Sequence, residues 1–243
     1  IFLFGLAAHA IASPAVNSHV LDNPVWHSLT TQHAALAITA DGAAKYPPAV
    51  APFGAVEHST TRAADQLTSL ITATDSIYLV GVAPPAPRGW LLKPGRPMLQ
   101  MICGARVAEV AGPEVARMTA AHCDDMLALT ALVFPGFFRP RTLEMGGYIG
   151  IYLGARLVAM AGERMRLDGY QEMSAVCTHP HYTGRGYAQR LLAILCNAAL
   201  DRGFAPFLHV YSDNTRAIEV YRKLGFVVRT SPPLWSLQKA DGH

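Results

Sequence analysis

The sequence predicts a mixed α/β protein whose central sheet is flanked by helices. Three observations carry that expectation. Strand and helix patterns alternate from about residue 99 to the end, a glycine turn joins a strand to a strongly amphipathic helix, and 51% of the 243 residues are hydrophobic, ample for a packed core.

The opening run Ile1–Ala12 is apolar but far short of the ~20 residues that cross a bilayer. No Lys or Arg precedes Lys45, so the basic region of a secretory leader is missing, and residues 1–20 read as a loose tail. Residues 21–82 are rich in Ala and Thr and read as a small amino-terminal α/β domain of unknown role. A helix is expected near Thr31–Ala40 and a strand at Ser76–Val82. Five prolines between Ala83 and Pro97 then mark a stiff connector, so 83–98 is expected to be a linker and 99–243 a second domain.

Within the second domain a strand is expected around Leu99–Met101, and Ala120–Val133 has helical spacing through Met126, Leu129 and Leu132. Gly147–Leu153 and Arg156–Ala161 read as a hairpin about Gly154-Ala155. A strand over Glu172–Thr178 runs into the glycine turn. The helix that follows places Ala188, Leu191, Leu192, Leu195, Cys196 and Ala199 on one face until Gly203 stops it. Pro206–Tyr211 then reads as a strand, Asn214–Leu224 as a helix and Phe226–Arg229 as a further strand.

Charge and cysteine usage exclude several functions. Twenty basic and 17 acidic residues give a net charge of +3, spread along the chain and unlike the clustered basic face of a nucleic-acid binder. Cys103, Cys123, Cys177 and Cys196 have no C-x-x-C spacing and read as reduced thiols of a cytoplasmic protein, with no metal site.

The chemistry concentrates in Val176-Cys177-Thr178-His179-Pro180-His181-Tyr182-Thr183-Gly184-Arg185-Gly186-Tyr187-Ala188. Free N–H groups and the positive end of the dipole at a helix start form an anion site, and glycines let a phosphate approach. Gln189 stands where a dinucleotide fingerprint needs its third glycine, and no G-K-[ST] of a P-loop follows. Instead, Thr183, Gly186 and Ala188 occupy the defining positions of Q/R-x-x-G-x-G/A, which resembles motif A of the GNAT acetyltransferase superfamily; Thr183 departs from its usual first residue. Asn214, Ala217, Tyr221, Gly225 and Phe226 fit N-x-x-A-x-x-x-Y-x-x-x-G-F, similar to motif B of the same superfamily. The wording Val-Cys-Thr-His-Pro and Phe-Leu-His-Val-Tyr further resembles a bacterial branch related to the carboxyl-terminal domain of glycine N-acyltransferase.

The resemblance implies a GNAT fold over 99–243 with a largely antiparallel sheet, acetyl-CoA as donor, and two neighbouring strands splayed to admit pantetheine. Backbone groups of Val176, Cys177 and Thr178 would pair with pantetheine amides. The N–H groups of Gly184, Arg185, Gly186, Tyr187, Ala188 and Gln189 would hold the pyrophosphate. Asn214 would face the pantetheine or act as a helix cap, and Arg190 would reach an outer phosphate or lie solvated on its helix.

An amine with a pKa of ~10.4 is neutral about once in 2,500 molecules at pH 7, which makes a base useful. Glu172 matches the catalytic glutamate position of histone-acetylating relatives and would need a raised pKa or a relay water; a salt-bridging strand residue is the alternative. Tyr221 is the candidate general acid for the departing thiolate, although packing alone would explain an aromatic there. His209, mid-strand, is a candidate for the acceptor side, and the Phe-Pro-Gly-Phe-Phe cluster in Phe134–Met145 for its walls. The expected activity is N-acetylation of a small-molecule amine or amino acid. Peptide amino-terminal acetylation and an inert acyl-CoA-binding module are the alternatives. No nucleic-acid or membrane partner is expected, and a homodimer is left open.

Overall fold

The computed structural model describes residues 19–72 and 75–240. The tail expected at 1–20 falls outside them except for His19 and Val20, which open a short 3-10 turn. The elements in chain order are α1 Pro24–Thr30, β1 Ile38–Ala40, β2 Ala43–Lys45, β3 Gly54–Val56, α2 Thr61–Ser69, β4 Ser76–Val80, β5 Trp90–Pro94, β6 Met98–Ile102 and β7 Ala116–Arg117. They continue with α3 Cys123–Val133, β8 Tyr148–Leu153, β9 Arg156–Leu167, β10 Tyr170–Thr178, α4 Tyr187–Asp201, β11 Ala205–Tyr211, α5 Thr215–Lys223, β12 Val227–Thr230 and β13 Leu234–Lys239.

A seven-stranded sheet in the order β12-β6-β11-β10-β9-β8-β7 forms the centre. All its pairings are antiparallel except β10 with β11. This is the mixed, largely antiparallel sheet flanked by helices that the sequence implied, with α4 buried on it through Leu191, Leu192, Leu195, Cys196 and Ala199. Two three-stranded sheets accompany it, β1-β2-β3 and β4-β13-β5.

The second small sheet overturns the expected division into domains. Its middle strand, β13, comes from the carboxyl end and pairs with β4 on one side and β5 on the other. The proline-rich segment is therefore no free linker. Trp90–Pro94 is a strand at the edge of that sheet, where a proline without an N–H is tolerated.

One core joins the two halves. Leu21, Val25, Leu29, Tyr46 and Phe53 pack with Met145, Met165, Phe207 and Leu234. Polar contacts repeat the connection: Ser28 Oγ donates to the Arg166 carbonyl at 2.8 Å, Gln100 Nε2 to the Leu21 carbonyl at 2.9 Å, and Thr142 Oγ1 to the Val50 carbonyl at 2.7 Å.

The helix expected at Thr31–Ala40 is also displaced. The helix runs over Pro24–Thr30, with proline in its first turn where the missing N–H costs nothing. Ile38–Ala40 instead forms a hairpin with Ala43–Lys45 about Asp41-Gly42, a turn pair suited to a two-residue hairpin. Among the described residues no helix is long and apolar enough to cross a membrane.

Because β13 needs β4, a chain starting at residue 83 should fail to fold cooperatively. Far-UV circular dichroism on heating should show one sharp transition for the full chain and none for the truncated one. A cooperative transition in the 83–243 fragment would restore the two-domain division.

Candidate active site

Strands β10 and β11 build the site by parting. Their parallel pairing covers Tyr170↔Ala205, Gln171↔Pro206 and Glu172↔Phe207 and then stops, while β11 stays paired with β6 as far as Tyr211. Beyond Glu172 the two strands expose backbone groups across a gap, which is the splay implied for pantetheine.

A bulge in β10 sharpens the opening. Ser174 faces Gly162 of β9 and Cys177 faces Met160, so three steps on β10 match two on β9. The extra residue is left out of the ladder. Ala175 takes φ +51° there, a left-handed conformation that costs a non-glycine residue about 1–2 kcal/mol. Strain held at the mouth of a cleft is characteristic of a functional position.

Two cavities meet at this gap. The first, about 410 Å³, is lined by Val176, Cys177 and Thr178, by the turn Thr183–Gly186, by Tyr187, Ala188 and Gln189, and by one face of α5. Gly184 and Gly186 have φ +80° and +76°, and Gly186 is the N-cap of the 15-residue helix α4. A Cβ at Gly184 would meet nothing within 4 Å, so its backbone conformation rather than crowding calls for glycine. A helix start free of side-chain caps, beside an unpaired strand edge, fits a pyrophosphate followed by a chain of amides. Arg185, Arg216 and Lys223 add positive charge to this wall.

Arg190 does neither of the things expected of it. Its Nε donates to the Pro113 carbonyl at 2.9 Å and its Nη1 to the Val110 carbonyl at 2.5 Å, so it ties the loop before β7 to α4. Asn214 caps α5, its Oδ1 accepting from Ala217 N at 3.2 Å, and also lines both cavities.

The second cavity, about 240 Å³, is walled by aromatic side chains, among them Phe134, Phe137, Phe138 and Tyr211. Phe53 and Val80 come from the amino-terminal part and Leu234 from β13. The Phe-Pro-Gly-Phe-Phe cluster therefore does reach a cavity wall, and the amino-terminal segment forms another. Val176, Asn214 and Tyr221 belong to both cavities. Tyr221 is only 8% exposed, and burial, with the Cys177 thiol nearby, pushes its phenol up to about 12. It therefore stays protonated across the physiological range. Cys177 is raised to about 12 by its own burial, so its thiol is inert and its backbone is what it offers.

The floor of the second cavity is a charged network. Arg164 binds Glu172 through both oxygens, at 2.6 and 2.8 Å, and His209 Nδ1 lies 2.8 Å from Glu172 Oε1. Gln100 Nε2 sits 3.0 Å from His209 Nε2 while donating to the Leu21 carbonyl. Read from these partners, His209 accepts at Nε2 and donates from Nδ1 to the carboxylate.

This corrects the role expected for Glu172. Burial alone would raise its pKa, but the charge and hydrogen bonds of Arg164, joined by His209, override burial and hold it at about 2. A base for an ammonium needs a shift the other way. Glu172 is the salt-bridging alternative, completely buried at the point where the strands part. Sequence reasoning missed Arg164. It lies where β9 carries an extra residue opposite Glu172, between the pairs Gln171↔Arg166 and Met173↔Glu163, and that irregularity leaves no local sequence pattern. His209, the acceptor-side candidate, does line the cavity.

Comparison with known proteins agrees with this geometry. Residues 148–235 match the family model of FR47-like proteins. The whole structure is similar to that of a GNAT-family protein from Novosphingobium aromaticivorans, with 35% identity, a TM-score of 0.84, and coverage of 92% of this chain and 100% of that one. The chain belongs to the GNAT family of acetyltransferases. A GCN5-related N-acetyltransferase from Kribbella flavida shares the fold at 18% identity and a TM-score of 0.57, covering 90% of this chain and 96% of its own. A curated relative, the N-alpha-acetyltransferase RimI of Mycobacterium tuberculosis, is 38% identical over 82 residues, which is 32% of this chain. That match spans about half (51%) of the length of the relative.

Replacing Glu172 by Gln should destabilise the protein by about 3–5 kcal/mol, because the buried Arg164 loses its counter-charge. The wild-type pair should also show in acid. A carboxylate whose folded pKa is depressed contributes its stability in full above its unfolded value of 4.5 and loses it as the pH falls towards about 2. Denaturant midpoints between pH 6 and 2 should therefore drop more steeply for wild type than for Glu172→Gln, and parallel curves would refute the assignment.

Proposed function

We propose that the protein is an acetyl-CoA-dependent N-acetyltransferase acting on the primary amine of a small molecule. The observation that carries this reading is the junction of the two cavities at Val176, Asn214 and Tyr221. A phosphate-compatible groove enters from one side and an aromatic chamber from the other.

Acetyl-CoA would supply an activated acetyl thioester in the first cavity. The residues then have three tasks. Free N–H groups at the start of α4, with Arg185, Arg216 and Lys223 nearby, neutralise phosphate. Backbone N–H at Val176 or Cys177, beside the bulge, offers the fixed dipole that stabilises an oxyanion as the amine adds. The Tyr221 phenol carries the proton needed by the departing thiolate, a contribution typically worth 10²–10⁴-fold. The ammonium first loses one proton to solvent, because Glu172 is held too acidic to take it. The carbon–nitrogen bond then forms and the carbon–sulfur bond breaks, and the proton shed by the attacking nitrogen restores the one that Tyr221 gives to sulfur.

The chamber favours a small acceptor. Its volume of about 240 Å³ falls just below the roughly 300–1,000 Å³ usual for ligand pockets, and walls from three parts of the chain converge on it. The likeness to RimI favours a second reading, acetylation of a peptide amino terminus, which would need the amino-terminal wall to leave room for a chain.

Tyr221→Phe should lower kcat about 100-fold or more in a thiol-release assay with a panel of amines, with acetyl-CoA affinity by calorimetry changed less than threefold. Equal loss of both, or of neither, would remove the general-acid role. The pH profile tests the fate of the amine proton: log kcat/KM should climb with unit slope through pH 8. A plateau reached below pH 7 would require a base on the enzyme.

A further inference from the structure

The chamber that would hold the acceptor is apolar along its walls yet lined with unused hydrogen-bond donors near its floor. A guanidinium has five N–H donors, and Arg164 spends two of them on Glu172. The other three have no hydrogen-bond acceptor among the described residues, and the side chain keeps 15% exposure where it lines the cavity. Glu172, by contrast, is fully buried with both oxygens engaged, Oε1 by Arg164 and His209 and Oε2 by Arg164. The floor therefore presents a cation, although it is built on an ion pair.

A second donor lies beside it. Tyr148 is 1% exposed and lines the same cavity, and its hydroxyl has no hydrogen-bond partner among the described residues. Its ring lies so close over Gly162 that a Cβ there would come within 2.1 Å of it, which holds the tyrosine across β9 towards β10. Leaving a buried hydroxyl unpaired is costly, and phenylalanine would pack in the same space without that cost. Two donors without acceptors call for an oxygen-bearing ligand.

The walls and the spacing restrict it further. Phe53 stacks with Phe137 at 6.2 Å and also lies under the Arg164 guanidinium at 4.6 Å, so an aromatic wall rises directly beside the cation. From the Glu172 level, where Arg164 is anchored, to Val176 at the junction is four residues of strand, about 13 Å when extended and less across the bulge. An amine and a carboxylate on one carbon cannot span that interval.

The geometry points to an acceptor with its primary amine at one end of an apolar, ring-sized body and a carboxylate at the other, the carboxylate bound by Arg164 and Tyr148. This rests on the acetyltransferase reading above and names its substrate class. A free α-amino acid is too short to use both ends of the chamber. An amine that carries no carboxylate leaves the floor unpaired.

The probes are 4-(aminomethyl)benzoate, benzylamine, phenylalanine, an alanine-initiated tripeptide and 4-methylbenzoate, which has the carboxylate but no amine. Wild type should prefer 4-(aminomethyl)benzoate over benzylamine and phenylalanine by at least tenfold in kcat/KM. Tyr148→Phe should shrink the preference over benzylamine about tenfold or more, as expected for one hydrogen bond to a charged group. The same variant should melt no lower than wild type, since it removes an unpaired hydroxyl; a lower melting temperature would show that the hydroxyl has a structural partner and would overturn its assignment. Equal use of benzylamine and 4-(aminomethyl)benzoate, or preference for the tripeptide, would overturn the inference while leaving acetyl transfer intact. If no amine is acetylated, the enzymatic reading falls by itself. Calorimetry with 4-methylbenzoate then decides the floor: binding weakened by Tyr148→Phe supports it, and no binding to wild type overturns it.

Discussion

The site depends on where the parallel pairing of β10 and β11 stops. A sheet gains from every paired strand, so a gap between neighbours persists only if something holds it open and occupies the groups at its apex. The Arg164–Glu172–His209 network occupies that apex. Glu172 is the last residue of β10 that pairs with β11. Its carboxylate binds a cation from β9 and an imidazole from β11, so the three strands are fixed to one another at the point where two of them diverge. Burying such a network has a large desolvation cost, repaid only when the geometry is good and the remaining polar atoms are bonded. Gln100 and the backbone N–H of Met165, which reaches Glu172 Oε2 at 3.4 Å, extend that bonding outwards.

The same network divides labour between the cavities. The first cavity is built from main-chain features: a helix start, two left-handed glycines, a bulge and an open strand edge. Such features are indifferent to most side-chain identities, so Thr183 can stand at the first motif position and instead turn its hydroxyl to the Pro180 carbonyl at 3.1 Å. The second is built from side chains drawn from β4, β8, β9, β11, β13 and the loop before β8. A donor common to a family and an acceptor peculiar to one member would be built in just these two ways.

That division also explains what could be read in the sequence. The strand–turn–helix from Glu172 to Asp201 and the helix from Asn214 to Lys223 were legible because their signals are local: periodicity, glycine and a cap. The hairpin about Gly154-Ala155 was legible for the same reason. The partnership of β13 with β4 and β5 was not, since pairing across more than 140 residues leaves no short-range trace. The proline run misled because its composition suits a linker and an edge strand equally well, and the Asp41-Gly42 turn signalled a hairpin that the alanine-rich surroundings obscured. At the site, Tyr221 and His209 could be nominated from motif and position. Arg164 and Tyr148 could not, because their importance arises from a strand irregularity and from the absence of a side chain at Gly162.

The placement of β13 between β4 and β5 bears on how the protein comes into being. Leu234, in its first position, closes part of the aromatic cavity, and the strand follows α5 in the sequence. A nascent chain leaving the ribosome from its amino end can lay down the first cavity, whose lining ends at Lys223, before that strand has emerged. Until then β4 and β5 have exposed edges with no partner between them, the kind of surface on which aggregation starts. Synthesis thus completes the aromatic cavity only after every part of the first cavity's glycine turn and α5 wall has been made.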